Sequence, residues 1–324
     1  MHVDPALRAF ASDTSGMAGA QGRILAAHRA WRGREDVVRV FAECARLAAG
    51  ANFDDCAALA ALMDEARALA LVQDWLAAMG EAWRADPLAQ LPFRHSYSAG
   101  VGAIHLCRTG PVTLALLVVE PQAAVRPTTI AFTDCERREI VLAGRGRGLA
   151  FRFADSGPPE AEPFALARGV QMGCDADRSR AFVSLDEPLV LLRLARDPLQ
   201  AMPTREVEIA TGRIVHRASA SPAEGRAELA ATLLGAMERA DAAPTLAAYA
   251  CGKTGGCGQA NAGPRWQALR NALALDTEAG FAALCALADR PGDPLAPQAE
   301  ALREQLRTSY PQLVNKVSTP CLAN

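Results

Sequence analysis

Three residues in the stretch FRHSYSAGVGAIHLC, positions 93–107, carry side chains that could bind a transition metal: His95, His105 and Cys107. Imidazole and thiolate are donors for zinc and iron, and a complete site needs three or four such ligands in a defined shell. In a strand, residues two apart share a face, so His105 and Cys107 are expected to point the same way. If 93–98 and 101–107 pair as an antiparallel hairpin, His95 comes near that pair, and Glu120 or Glu139 could supply the missing carboxylate. The competing account is a half-buried, hydrogen-bonded histidine beside a core cysteine. Fe or Zn is the cofactor this stretch could take, and no other motif in the chain calls for one.

Two further stretches invite a chemical reading. GRGRG at 144–148 sets Arg145 and Arg147 between glycines, where two guanidiniums on one strand face could hold a carboxylate or phosphate. The plainer account is a sharp strand-to-strand turn with both arginines in solvent. ACGKTGGCG at 250–258 contains the Gly-Lys-Thr of a phosphate loop. Such a loop needs a preceding strand and a glycine five residues earlier, but position 247 is Ala and PTLAAYA reads as helix. Cys251 and Cys257 have five residues between them, too wide for a structural zinc pair, which leaves a redox bridge or two free thiols in a flexible joint. QMGCDADRSR reads as a turn, since Asp175 and Asp177 lack the repeated oxygens of a calcium loop. No Gly-x-Ser-x-Gly elbow and no His-Glu-x-x-His helix occurs.

The elements that must position these residues fall into three textures. From 19 to 85 apolar residues recur at helical spacing; Val38, Phe41, Cys44, Ala45 and Ala48 form one stripe, and Gly50 stops that helix. Trp75 and Trp83, eight apart, are expected to face one core. From 93 to 217 the runs VTLALLVVE, TTIAF, EIVLAG, LAFRF, RAFVSL, PLVLLRLA, REVEIA and RIVHRA read as short strands, with a tight turn at Thr211-Gly212. FADSGPPEAEP, 153–163, reads as a proline-rich acidic loop. From 221 helices return, opened by Ser221 as N-cap, Pro222 and Glu224. The expected fold class is α+β: an N-terminal helical region at 1–90, an antiparallel β sandwich at 91–220, a helical domain at 221–314 and a flexible tail at 315–324.

Residues 263–310 resemble a HEAT-repeat protein. Pro264, Arg265, Trp266, Ala268, Leu269, Ala272 and Leu273 match the opening helix, Asp276 the turn, and AGFAALCALA the second helix. The resemblance implies stacked helix pairs with a concave face. The middle region, through TTIAFTDCERREIVLAGRGRG, resembles a cupin jelly roll. Metal-dependent cupins would place a histidine where Arg137 and Arg138 stand, and a His pair with Glu near 93–107, where this chain has His95 followed by Ser96 and Tyr97.

Composition bounds the remaining choices. The 324 residues are half hydrophobic, enough for two or three cores. With 34 Lys+Arg against 36 Asp+Glu, the chain lacks the basic excess of a nucleic-acid binder and any charge attraction to anionic lipid. Without a secretory signal or an apolar run of membrane length, a cytoplasmic location is expected, with the nine cysteines mostly reduced. Two functions follow: a non-catalytic scaffold presenting a groove to a peptide or protein partner, or a cupin-type metal-dependent enzyme or small-ligand binder around His95, His105 and Cys107. Whether the chain is an enzyme, and whether it forms a homo-oligomer, stay open at this point.

Overall fold

The structure is a computed structural model that describes residues 15–87, 89–198, 202–219, 222–253 and 262–311. It is a mixed α+β protein with antiparallel sheets and several helices. Contacts divide it into two compact units, Met1–Ala201 with Glu206–Val215, and Met202–Arg205 with His216–Asn324.

The first unit begins with helices α1 (Ser15–Arg32), α2 (Glu35–Ala48), α3 (Ala57–Ala61) and α4 (Glu65–Ala85). Helix α2 buries Val37, Val40, Cys44 and Leu47. The expected stripe is thus rotated by one residue, and Val38 is exposed. Gly50, at φ +104°, ends this helix in the left-handed region that favours glycine. Asp64 caps α4 by accepting from the Arg67 amide at 3.1 Å. Trp75 is buried, but Trp83 is 48% exposed, so the pair does not share a core. Eight residues overshoot two turns by roughly 80°, enough to carry the second ring off the apolar face.

Among the described residues twelve strands follow. They are β1 (His95–Ser98), β2 (Val101–Thr109), β3 (Val112–Val119), β4 (Thr129–Phe132), β5 (Glu136–Ala143) and β6 (Gly146–Arg152). The rest are β7 (Glu160–Leu166), β8 (Gln171–Cys174), β9 (Arg178–Leu185), β10 (Leu189–Arg196), β11 (Thr204–Glu208) and β12 (Ile214–Ala218). All eight runs read as strands contribute to them, and Gly212 takes the turn at φ +76°. Part of FADSGPPEAEP enters β7 and QMGC forms β8, where the sequence suggested only loop and turn. Strand β7 pairs with β6 alone, and Pro163 is tolerated on such an edge because no second neighbour needs its missing amide.

One sheet has the order β1-β2-β3-β10-β5-β8, a second β7-β6-β9 and a third β12-β11-β4. Alternation along β3 and β10 separates two cores. Leu114, Leu116, Leu192 and Leu194 meet Val40, Cys44, Leu71 and Trp75 of the helices. Ala115, Leu117 and Leu191 meet Leu166 and Leu185 of the second sheet. Phe151 on that sheet's outer side packs against Ile130, Phe132 and Val207 of the third. The six-stranded sheet is therefore covered by helices on one face and by strands on the other.

The second unit contains α5 (Pro222–Ala236), α6 (Ala243–Ala250), α7 (Ala262–Leu275), α8 (Thr277–Ala288) and α9 (Ala296–Ser309). Ser221 lies outside the described residues. Helix α7 packs against α5, α6 and α8, and α9 packs against α8. Leu246, Leu269, Phe281 and Leu284 fill the core between them. The Asp276 carboxylate accepts from the Glu278 and Ala279 amides at 3.0 and 3.1 Å, starting α8 at the residue expected to form the turn. Among the described residues no helix is long and apolar enough to cross a membrane.

Candidate functional site

The hairpin expected around 93–107 forms, with His95 opposite Ile104 and Ser98 opposite Val101. It does not gather His95, His105 and Cys107. Register places His105 opposite Ala115 but Cys107 opposite Leu114, with a bulge at Leu106 between them. Residues directly opposite share a face, so His105 faces the second sheet with Ala115, while Cys107 faces the helices with Leu114. The extra residue of the bulge breaks the period of two on which the shared-face expectation rested. His95 is exposed, with Nδ1 3.1 Å from the Phe93 carbonyl oxygen. His105 Nδ1 is buried without a hydrogen-bond partner. Burial, then the guanidiniums of Arg94 and Arg108, holds this imidazole below its ordinary pKa.

Cys107 instead faces the helices, in the core cluster that also holds Cys44 of α2. The neighbouring Cys44 thiol holds the Cys107 thiol below its ordinary pKa, against the opposing effect of burial and with help from Thr109 and Arg32. Among the described residues no group of three or more His, Cys, Asp or Glu could hold a metal ion. Glu120 accepts from the Tyr97 hydroxyl at 2.7 Å.

The second carboxylate named with these residues, Glu139, is 1% exposed. Successive cross-strand pairs run His105–Ala115–Arg193–Glu139–Met172 from β2 to β8, so all five share the face opposed to the second sheet. Glu139 Oε1 accepts from Arg193 Nε at 2.5 Å, and Oε2 from Arg180 Nε of β9 at 2.6 Å. Arg180 also lies over the Phe182 ring, 4.2 Å from its centroid. Burial works to raise the Glu139 carboxyl, but the two guanidiniums outweigh it and hold the group below its ordinary pKa. The next row of the same face carries Arg137 opposite Cys174; Arg137 Nε is buried without a hydrogen-bond partner.

Beyond these rows, at the Arg196 end of β10, opens a cavity of about 490 Å³. Arg152, Arg178 and Arg196 line it together with Asp134, Glu136, Asp175 and Asp177. Arg178 donates to Asp175 from Nε at 2.8 Å and from the terminal nitrogen at 2.6 Å, and Arg196 donates to Glu136 at 2.6 Å. Arg152 approaches a carboxylate at 4.0 Å, that of Glu160. Arg180 sits two residues along β9 from Arg178, on the same face and deeper between the sheets. The interior thus grades from Leu117, Val141 and Leu191 through the Arg180–Glu139–Arg193 bridge to a polar mouth.

A divalent cation does not fit at this bridge. Both Glu139 oxygens are occupied by guanidinium donors, and Arg137, Arg180 and Arg193 place positive charge where a metal would need anionic or neutral ligands.

The remaining sequence candidates are dispersed. Arg145 and Arg147 are exposed; Arg145 donates to Glu187 at 2.9 Å and Arg147 to the Ser184 hydroxyl at 3.3 Å. The glycines between them serve packing: a Cβ on Gly146 would lie 2.3 Å from the Ser184 carbonyl oxygen, and one on Gly148 2.4 Å from the Phe164 ring. Cys251 is buried with its thiol directed at the Ala283 carbonyl, 3.6 Å away, and Cys257 lies outside the described residues. Arg193 carried a signal that sequence reading passed over: it interrupts LVLLRLA, and a lone charge in an apolar strand needs a buried partner.

No protein-family model and no curated protein sequence matches the chain. Solved structures that resemble it include the capsular polysaccharide assembling protein CapF from Staphylococcus aureus, at 11% identity over 34% of this chain, with TM-score 0.28. A structure of DMSP lyases matches at 18% identity, covering 56% of this chain and 94% of that one, with TM-score 0.28. A cupin-2 domain from Rhodospirillum rubrum matches at 17% identity, covering 34% of this chain and 66% of that one, with TM-score 0.25. The chain spans 32% of the length of CapF. The assignment of a site therefore rests on this chain's own geometry.

Proposed function

We propose that the β sandwich is a small-ligand-binding module of cupin-like form, which takes a small polar molecule carrying charge at the open end between its sheets. The observation that carries this reading is the cavity of about 490 Å³ lined by Arg152, Arg178 and Arg196 together with carboxylates. The ion pairs of Arg178 with Asp175 and of Arg196 with Glu136 hold the lining in place, so little reorganisation is needed when a ligand enters. Arg152, whose carboxylate contact is the longest in the mouth, is the residue assigned to the ligand's anionic group. The metal-dependent alternative at His95, His105 and Cys107 loses support from the bulge that turns Cys107 away.

The test is calorimetric titration of the full chain with free amino acids, small mono- and dicarboxylates and inorganic phosphate. Saturable binding by one of these classes, weakened in Arg152→Ala, supports the reading. Absence of binding to all of them overturns it. Stoichiometric iron or zinc in purified protein, lost in His105→Ala, restores the metal-dependent alternative.

A second reading, a docking surface for a protein partner on a HEAT-like block, draws on α5. Leu229, Leu233 and Met237 are exposed at intervals of four, so they form one apolar stripe along that helix and its C-terminal end. Leu233→Glu should abolish retention of a partner captured by the wild-type chain, and unchanged retention discards this surface.

A further inference from the structure

Among the described residues, the inner face of the six-stranded sheet leaves Arg137 without a counter-ion. Register fixes the direction of this side chain. Arg137 and Glu139 are two apart on β5 with no bulge between them, so both face the second sheet. Arg138, between them, lies over the Phe53 ring on the helical side, 3.9 Å from its centroid. Directly across from Arg137 stand Ala195 on β10 and Cys174 on β8; two residues away along the chain are Cys135 and Glu139. Glu139 is the one carboxylate among these neighbours, and its oxygens already accept from Arg193 and Arg180, at 2.5 and 2.6 Å. No ion pair or hydrogen bond within the described residues reaches the Arg137 guanidinium; its Nε is enclosed, while the residue as a whole is half-buried.

Arg137, Arg180 and Arg193 thus share the single carboxylate of Glu139, three positive charges against one negative. Burying a charge is costly unless it is paired, so this face is incomplete without a further anion. Arg193 stands on the diagonal from Arg137, because it pairs with Glu139 while Ala195 pairs with Arg137. Roughly 7–8 Å separates such diagonal positions, within reach of two long side chains that converge on one group. Arg193 uses Nε for Glu139, and among the described residues its terminal nitrogens make no hydrogen bond. A guanidinium carries five donors in a planar fork, matched to the paired oxygens of a carboxylate or a phosphate.

We propose that Arg137 and Arg193 form an anion-binding site on the inner face of the six-stranded sheet, which takes a small oxyanion, a carboxylate or a phosphate. The terminal nitrogens of both guanidiniums hold the anion, and the Glu139 carboxylate, itself anchored by Arg180, keeps Arg193 in place. Ala195 and Cys174, on either side of Arg137, are too short to cover its fork. This site does not rest on the ligand reading, in which the anionic group goes to Arg152 on β6 of the second sheet, beside Glu160.

The experiment follows thermal unfolding of the full chain at neutral pH as sodium phosphate or sodium acetate replaces sodium chloride at constant ionic strength. At least one of the two anions is expected to raise the unfolding temperature along a saturating curve, as a ligand of the folded state does. Whichever anion does so identifies the source of the oxyanion chemistry. Arg137→Met should raise the midpoint concentration for that anion at least about tenfold, the worth of one charge-assisted hydrogen bond. Arg152→Ala should leave that midpoint unchanged. The proposal is overturned if neither anion gives a saturable rise, or if the rise survives unchanged in Arg137→Met. A rise lost in Arg152→Ala and kept in Arg137→Met also overturns it, placing the anion at the mouth and leaving the ligand reading intact. Should Arg137→Met fail to fold, Arg137→Gln is judged by the same midpoint.

Discussion

Glu139 of β5 and Arg180 of β9 join two different sheets through a hydrogen-bonded ion pair that is almost fully enclosed: the carboxylate side chain is 1% exposed and the guanidinium side chain 12%. Arg193 completes the bridge from the carboxylate's own sheet. Removing the charge in Glu139→Gln leaves two guanidiniums partly buried without their counter-ion. The expected cost is about 3–5 kcal/mol in urea unfolding, the range for breaking a buried pair. Replacing Glu139, Arg180 and Arg193 together by apolar residues of similar size should recover most of that loss, whereas an additive loss would show that the bridge itself is strongly stabilising.

The same group sets an acid limit on the first unit. The Glu139 carboxyl lies below its ordinary value of 4.5 in the folded chain, through Arg180 and Arg193 acting against burial. A depressed carboxyl contributes stability that is complete above the unfolded value and is lost as pH falls through the folded one. Urea midpoints measured from pH 7 down to pH 3 should therefore fall below about pH 4.5, and fall less steeply in Glu139→Gln. Parallel profiles for the two proteins would assign the acid sensitivity to other carboxylates.

Much of this fold is legible in the sequence, and the bridge is not. Runs such as VTLALLVVE and PLVLLRLA announce strands because a period of two and β-branched content are local properties. Which strands become neighbours is not local: Arg193 and Glu139 meet because β10 pairs with β5, more than forty residues away in the chain. The Leu106 bulge is likewise invisible, since an extra residue exists only relative to the partner strand. In α2 the helical period is plain, yet both Val37 and Val38 fit an apolar stripe. Packing against β2 and β3 selects the one that contains Val37.

Glycines in GRGRG test whether this run is a packing device. Gly146→Ala directs a methyl at a backbone oxygen 2.3 Å away that cannot rotate aside, and Gly148→Ala directs one at a ring atom 2.4 Å away. Each should destabilise the chain by about 1–3 kcal/mol, the overpacking range, with Gly146→Ala the worse. Gly225→Ala in α5 has open space around its new methyl and should stabilise by about 0.5–1 kcal/mol. Thermal unfolding of the three variants, in which Gly146→Ala melted with the wild type, would remove the packing role.

Arg265 anchors the second unit in a comparable way, although it begins a helix that the sequence presents only as part of a repeat pattern. Its Nε donates to the Ala250 carbonyl at 2.9 Å and a terminal nitrogen donates to Asp293 at 2.6 Å, tying the end of α6 to the turn before α9. Both side chains are buried, at 8% and 5% exposed. The Asp293 carboxylate also accepts from the Leu295 amide at 3.0 Å, so it serves the turn as well as the ion pair. Burial works to raise this carboxyl, but Arg265, the Leu295 amide and Arg290 together hold it below its ordinary value. Asp293→Asn keeps the turn bond and loses the charge; Asp293→Ala loses both. Unfolding of the full chain should cost about 3–5 kcal/mol in Arg265→Ala, where the carboxylate and the Ala250 carbonyl lose a buried donor. Asp293→Asn should cost less than Asp293→Ala by about 1 kcal/mol, the usual worth of one capping bond. Equal losses in the two Asp293 variants would place the whole effect in the ion pair and none in the turn.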